Sequence, residues 1–172
     1  SRPIRDIEGF AKPRAGLNVF ANRGLAGIDG NISTVFGIAE YFKNTFAVVG
    51  DLTFLHDIGA LASPTNNAHC KIFLLDNNGG GIFSTLPQSG VPGFEKIFGT
   101  PHGRDIAKII SGFGMSFEII KNESDLKRAI LHDAKTLTIY LVEVPSRDVM
   151  SEKLKGYYAK ASSAVRIGFN LA

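Results

Sequence analysis

Two apolar runs in this chain stop abruptly at polar residues and glycine. The first, TFAVV at 45–49, runs into Gly50, Asp51 and Leu52. The second, KIFLL at 71–75, runs into DNNGGG, which holds Asn77, Asn78 and the glycines Gly79 to Gly81. Continuous apolar, β-branched runs of this length suit strands buried on both faces of a parallel sheet. In such sheets ligands sit in the crevice beyond the carboxyl ends of the strands. Two strand ends of this kind, with 25 residues between Asp51 and Asn77, constrain the fold more than anything else in the chain.

The residue types at these ends suit a hard cation. A carboxylate and a carboxamide on adjacent strand ends can share one ion, and Mg²⁺ favours oxygen ligands together with phosphate oxygens. The stretch reads as a Mg²⁺–diphosphate site, with Mn²⁺ as the alternative ion. Two ligand sets fit: Asn77 with the Gly79 carbonyl, or Asn78 with that of Gly80. The bland alternatives are an Asp51 that caps a helix and asparagines that merely end a strand in a turn.

The flanking segments alternate strand and helix. Short strands are expected at 18–21, 45–50, 71–75, 116–120 and 136–144. Apolar residues at helical spacing predict helices over 31–42, 57–62, 104–113, 124–132 and 151–165. Ser124 is the expected cap of the fourth helix, and Ser63-Pro64 the break after the second. Alternation of this kind predicts an α/β fold, a three-layer doubly wound parallel sheet with right-handed crossovers. Residues 1–17 mix charge, proline and glycine and read as a linker or a severed segment; 18–172 form the binding domain. The long connection 83–103 reads as a mobile, functional loop.

Composition narrows the class. Of 172 residues, 44% are hydrophobic and 20% charged, which fits a globular domain. The net charge of +3 is mild, and the basic residues are not interleaved with aromatics, so no nucleic-acid surface is expected. No apolar run reaches the roughly 18 residues of a membrane span. One cysteine, Cys70, cannot form an internal disulfide; it reads as a small core residue in a reducing compartment, the cytoplasm.

Gly24, Gly27 and Gly30 are spaced G-x-x-G-x-x-G. That is neither the dinucleotide fingerprint nor a P-loop, but such a turn can offer N–H groups to an anion. Arg23 within it either binds a carboxylate or is simply solvated. Ile82, Phe83 and Leu86 either line an apolar pocket or cover a sheet edge. His56 and His102 have no cysteine or second histidine at ligand spacing and read as structural or loop histidines.

GDL at 50–52 followed by NNGGG at 77–81 resembles the signature of thiamine-diphosphate enzymes. NRGLAGIDG at 22–30, GDLTFLHD, NNGGGIFSTLPQ and FGTPH at 98–102 together resemble the MenD family, the SEPHCHC synthases of menaquinone biosynthesis. That resemblance implies the cofactors thiamine diphosphate and Mg²⁺, and the substrates 2-oxoglutarate and isochorismate. It implies metal ligation by Asp51, Asn77 (or Asn78) and Gly79. It implies cofactor contacts from Gly27, Ile28, Asp29, Gly50, Asp51, Leu52, Asn77, Gly79, Gly80 and Ile82. Ile28 would support the bent cofactor, Arg23 would face a substrate carboxylate, and Ile82, Phe83 and Leu86 would line the pocket. A separate pyrimidine-binding domain and a homo-oligomer belong to the family pattern, with roughly 370 or more residues expected ahead of this segment. A fragment lacking them is expected to be inactive. Weaker alternatives are an acetolactate-synthase-like lyase of the same superfamily and a non-catalytic nucleotide-binding module.

Overall fold

A computed structural model of the chain describes residues 2–25, 27–62 and 70–169. Four parallel strands form one sheet: β1 (Thr45–Gly50), β2 (Cys70–Asp76), β3 (Ser116–Ile120) and β4 (Thr138–Glu143), in the order β1-β2-β4-β3. β2 lies in the interior, pairing Val49 with Leu74 on one side and Leu74 with Leu141 on the other. Its run of apolar residues is buried accordingly, as is expected of a strand covered on both faces.

Side-chain alternation divides the core in two. Ala47, Val49, Ile72, Leu74, Ile139 and Leu141 face one side, where α2 (Asn31–Tyr41), α3 (Asp51–His56) and α4 (Ile106–Gly112) bring Ile32, Phe36, Phe54, Ile106 and Ile110. Phe73, Tyr140 and Ile120 face the other, against Ala129 of α5 (Glu123–Leu131). Phe73 stacks on Tyr140 with ring centroids 5.0 Å apart. Lys71 shares this second face, and its buried ammonium donates to the carbonyls of Ala129 (3.1 Å), Ile130 (2.9 Å) and His132. A β2 side chain thereby satisfies the last carbonyls of α5. The three-layer α/β architecture is the one expected.

Several expected details differ. α1 (Arg2–Phe10) is a helix within the stretch read as a linker or a severed segment; Pro3 sits in its first turn, where proline costs no hydrogen bond. Residues 18–21 form no strand. Val19 and Phe20 are exposed, and the Phe20 ring is tilted against that of Phe42, with centroids 5.3 Å apart. Four residues with one β-branched side chain do not hold an edge position without a ladder partner. α5 is capped by Asn122, whose side chain accepts from Asp125 N–H, so the expected Ser124 cap lies two residues further on, inside the first turn. α6 (Arg147–Gly168) starts earlier than expected, capped by Ser146. The expected loop 83–103 contains a short 3₁₀ turn (Phe83–Thr85) and a π-helical turn (Glu95–Gly99). The Ser63-Pro64 break lies outside the described residues.

Candidate cation and cofactor site

The register of the sheet brings the two strand ends level. Gly50 of β1 pairs with Leu75 of β2, so Asp51 follows directly beside Asp76. Asp51 opens α3 and is 2% exposed. Its Oδ1 accepts Leu52 N–H at 2.7 Å and its Oδ2 accepts Gly79 N–H at 2.7 Å. Burial pushes its carboxyl above the usual value; the two backbone N–H groups and His102 oppose this, and the neighbouring Asp76 charge reinforces it. Asp51 therefore combines a helix start with a contact to the NNGGG turn 28 residues on.

The turn itself is shaped by glycine. Asn78 has φ 57° and Gly79 φ 134°. A Cβ on Gly79 would overlap the Gly99 carbonyl oxygen, and one on Gly80 would overlap that of Phe98. Gly80 N–H donates to Gly99 O at 2.7 Å. These two glycines thus admit the backbone of 98–100 at contact distance. Gly79 presents its N–H to Asp51, while its carbonyl accepts from Gly81 N–H at 2.9 Å, leaving one lone pair for another partner.

Asn77 and Asn78 part company here. Asn78 is exposed, and its Oδ1 accepts Gly103 N–H at 2.8 Å. Asn77 Oδ1 is buried and has no hydrogen-bond partner among the described residues, and neither has the buried Arg147 Nη1. A buried orphan oxygen is costly, and an amide oxygen left without a donor suits a cation. Asn77 also lines a cleft of ≈ 410 Å³ with Asp76, Val144, Ser146 and Arg147. The donor set of carboxylate and amide oxygens fits Mg²⁺ or Mn²⁺.

Sequence reasoning missed two residues at this point. Asp76 Oδ1 lies 3.4 Å and Asp51 Oδ2 3.3 Å from His102 Nε2. These three residues each place a ligand-type atom within 4.8 Å of the others. FGTPH was legible as a motif, but nothing in its spacing ties His102 to a strand end 51 residues away.

The other expected site residues are dispersed. The 22–30 turn precedes α2 instead of following a strand, and Asn22 Nδ2 ties it to Thr34 Oγ1 at 3.1 Å. Arg23 is partly exposed and pairs with Glu8 at 2.6 Å. Ile28 is half-buried, Gly27 and Asp29 are exposed, and no described contact joins them to Asp51. Gly50 and Leu52 flank Asp51 in the chain. Phe83 packs on Phe98, with centroids 5.5 Å apart. Ile82 lines a small recess of ≈ 180 Å³ with Arg2, Leu154 and Tyr158, and Leu86 is exposed.

Paired strand ends, a buried carboxylate and a glycine-lined turn define a cofactor-binding α/β domain. Residues 8–144 match the family model described as "Thiamine pyrophosphate enzyme, C-terminal TPP binding domain". The chain belongs to that family. Curated relatives carry a more specific name, 2-succinyl-5-enolpyruvyl-6-hydroxy-3-cyclohexene-1-carboxylate synthase. The protein of that name from Thermobifida fusca (strain YX) is 37% identical over 171 residues, 95% of this chain and 30% of the relative. That from Staphylococcus aureus (strain MRSA252) is 43% identical over 143 residues, 81% of this chain and 25% of the relative. That from Staphylococcus epidermidis (strain ATCC 12228 / FDA PCI 1200) is 38% identical over 97% of this chain and 30% of the relative. The chain thus spans under a third of the length of these relatives, and the resemblance read from NRGLAGIDG and NNGGGIFSTLPQ is to proteins of this name.

Proposed function

We propose that this chain is the Mg²⁺- and diphosphate-binding part of a thiamine-diphosphate-dependent synthase. In that enzyme 2-oxoglutarate is decarboxylated and its succinyl unit is added to isochorismate, in menaquinone biosynthesis in the cytoplasm. The observation that carries the reading is the buried Asp51 carboxylate, held by Gly79 N–H of the same turn that carries the orphaned Asn77 Oδ1. The names of the relatives support the substrates.

Each residue has a stated task. Asp51 and Asn77 supply oxygen ligands to the cation, with the free lone pair of the Gly79 carbonyl as the third. The N–H groups of Leu52 and Gly79 fix the Asp51 carboxylate in one orientation, so little reorganisation accompanies cation entry. Burial keeps water from competing for that carboxylate and strengthens its field. Thiamine diphosphate, when bound, supplies the electron sink for decarboxylation. Ile28 supports the cofactor from below. Arg23, which already grips the Glu8 carboxylate, has the planar fork to hold a substrate carboxylate instead. Ile82, Phe83 and Leu86 form the apolar wall. The pyrimidine-binding domain and a second subunit complete the site in the longer enzyme.

Calorimetry tests the binding half of this reading. Thiamine diphosphate should bind the chain only when Mg²⁺ is present, and Asp51→Ala should weaken binding at least about 100-fold, by analogy with loss of a buried charged partner. Binding that is equal with and without Mg²⁺, or equal in Asp51→Ala, refutes it.

A further inference from the structure

The loop that lies over the candidate cation site is built to occupy it. Residues 98–103 are fastened to the end of β2 at three points. Gly80 N–H donates to Gly99 O at 2.7 Å, Gly103 N–H donates to Asn78 Oδ1 at 2.8 Å, and His102 Nε2 reaches both Asp51 and Asp76. The first of these fastenings requires glycine at 79 and 80, because a side chain at either position would overlap the loop backbone. The His102 side chain is only 8% exposed.

The hydrogen bonds decide what His102 is doing there. Arg104 N–H donates to His102 Nδ1 at 2.9 Å. That nitrogen therefore presents its lone pair, and the ring proton sits on Nε2. An Nε2–H aimed between two carboxylates is a donor. A metal ion would need the lone pair at that same atom, so in this arrangement His102 donates to the carboxylate and does not ligate a cation. The buried Asp51 carboxylate needs such a donor, and the half-buried Asp76 Oδ1 lies 3.4 Å from the same nitrogen.

We propose that His102 is a placeholder. It satisfies Asp51 and Asp76 while the divalent cation is absent, and cation entry at Asp51 displaces it and releases residues 98–103 from the end of β2. This rests on the reading of Asp51 as a cation ligand. Two consequences follow by linkage, since cation and imidazole contend for one carboxylate. Removing the imidazole tightens the cation, and adding the cation loosens the loop.

Mn²⁺ binding to the purified chain, followed by the electron paramagnetic resonance of free Mn²⁺, tests the first. His102→Ala should bind about tenfold tighter than the wild type, a change worth about 1.4 kcal/mol. His102→Gln, which keeps a side-chain N–H donor, should fall between them. Equal or weaker binding by both variants overturns the proposal, and weaker binding would make His102 a ligand. Amide hydrogen exchange tests the second: saturating Mg²⁺ should speed exchange of the Gly80 and Gly103 amides at least about tenfold, and unchanged rates overturn it. Asp51→Asn separates the two levels. If it binds Mn²⁺ as the wild type does, or if no chain binds Mn²⁺, the cation site itself is wrong and the placeholder falls with it.

Discussion

At the scale of single residues, the glycines of the NNGGG turn make the sharpest demand. Gly79 combines φ 134° with contact against Gly99 O, so Gly79→Ala strains the backbone and displaces 98–100 together. We expect a loss of about 1–3 kcal/mol in denaturant-melt stability. A variant as stable as the wild type would contradict the turn. Cys70 is 1% exposed, and burial pushes its thiol from an ordinary value of 9.0 up to about 12. Between those two values the unfolded chain gives up the thiol proton and the folded chain keeps it. Its contribution to stability is therefore complete below pH 9.0 and is lost as pH rises towards 12. Alkylation of Cys70 at pH 9 should track global unfolding, and rapid labelling of folded chain would contradict its burial. Asp51 and Asn77 were legible because each ends an apolar run within a spaced motif. Asp76 and His102 were not, because only the fold brings the 98–103 loop back onto β2.

At the scale of elements, Lys71 joins β2 to α5. Its three carbonyl contacts at the helix end replace a C-terminal cap, and its ammonium lies 4.9 Å from the centroid of the Phe46 ring. Lys71→Met keeps much of the volume and removes the donors. The variant should lose about 1–3 kcal/mol, read as a lower urea midpoint with unchanged m-value; an unchanged midpoint would contradict the cap. No periodicity announces this role, since a lysine at the start of an apolar run reads as an edge residue. The strands of the sheet were read correctly because continuous β-branched runs have few other solutions. Helix ends were read less well. Asn122 and Ser146 cap their helices from positions whose neighbours, Ser124 and Ser151, are equally plausible by residue type. Residues 18–21 show the converse, since a short apolar segment is a strand only where a ladder receives it.

At the scale of the whole molecule, the described residues form one four-stranded sheet with a core on each face, and the chain spans under a third of its relatives. Arg23 is exposed and Ile28 half-buried, Leu25 is 90% exposed, and Phe46 and Val48 of β1 remain partly uncovered. The relatives are more than three times as long. We expect the 172-residue chain to form no product from 2-oxoglutarate and isochorismate when supplied with thiamine diphosphate and Mg²⁺. Turnover by the purified chain would refute the division of labour proposed above. Family membership was legible from four short motifs in consistent order.

The most direct measurement is a crystal structure of the chain with MnCl₂ and thiamine diphosphate, recorded at a wavelength where manganese scatters anomalously. The account predicts one strong anomalous peak between the Asp51 carboxylate and Asn77 Oδ1, at about 2.1–2.3 Å from each oxygen. A manganese peak elsewhere, with Asp51 still bound only to backbone N–H groups and His102, would contradict it.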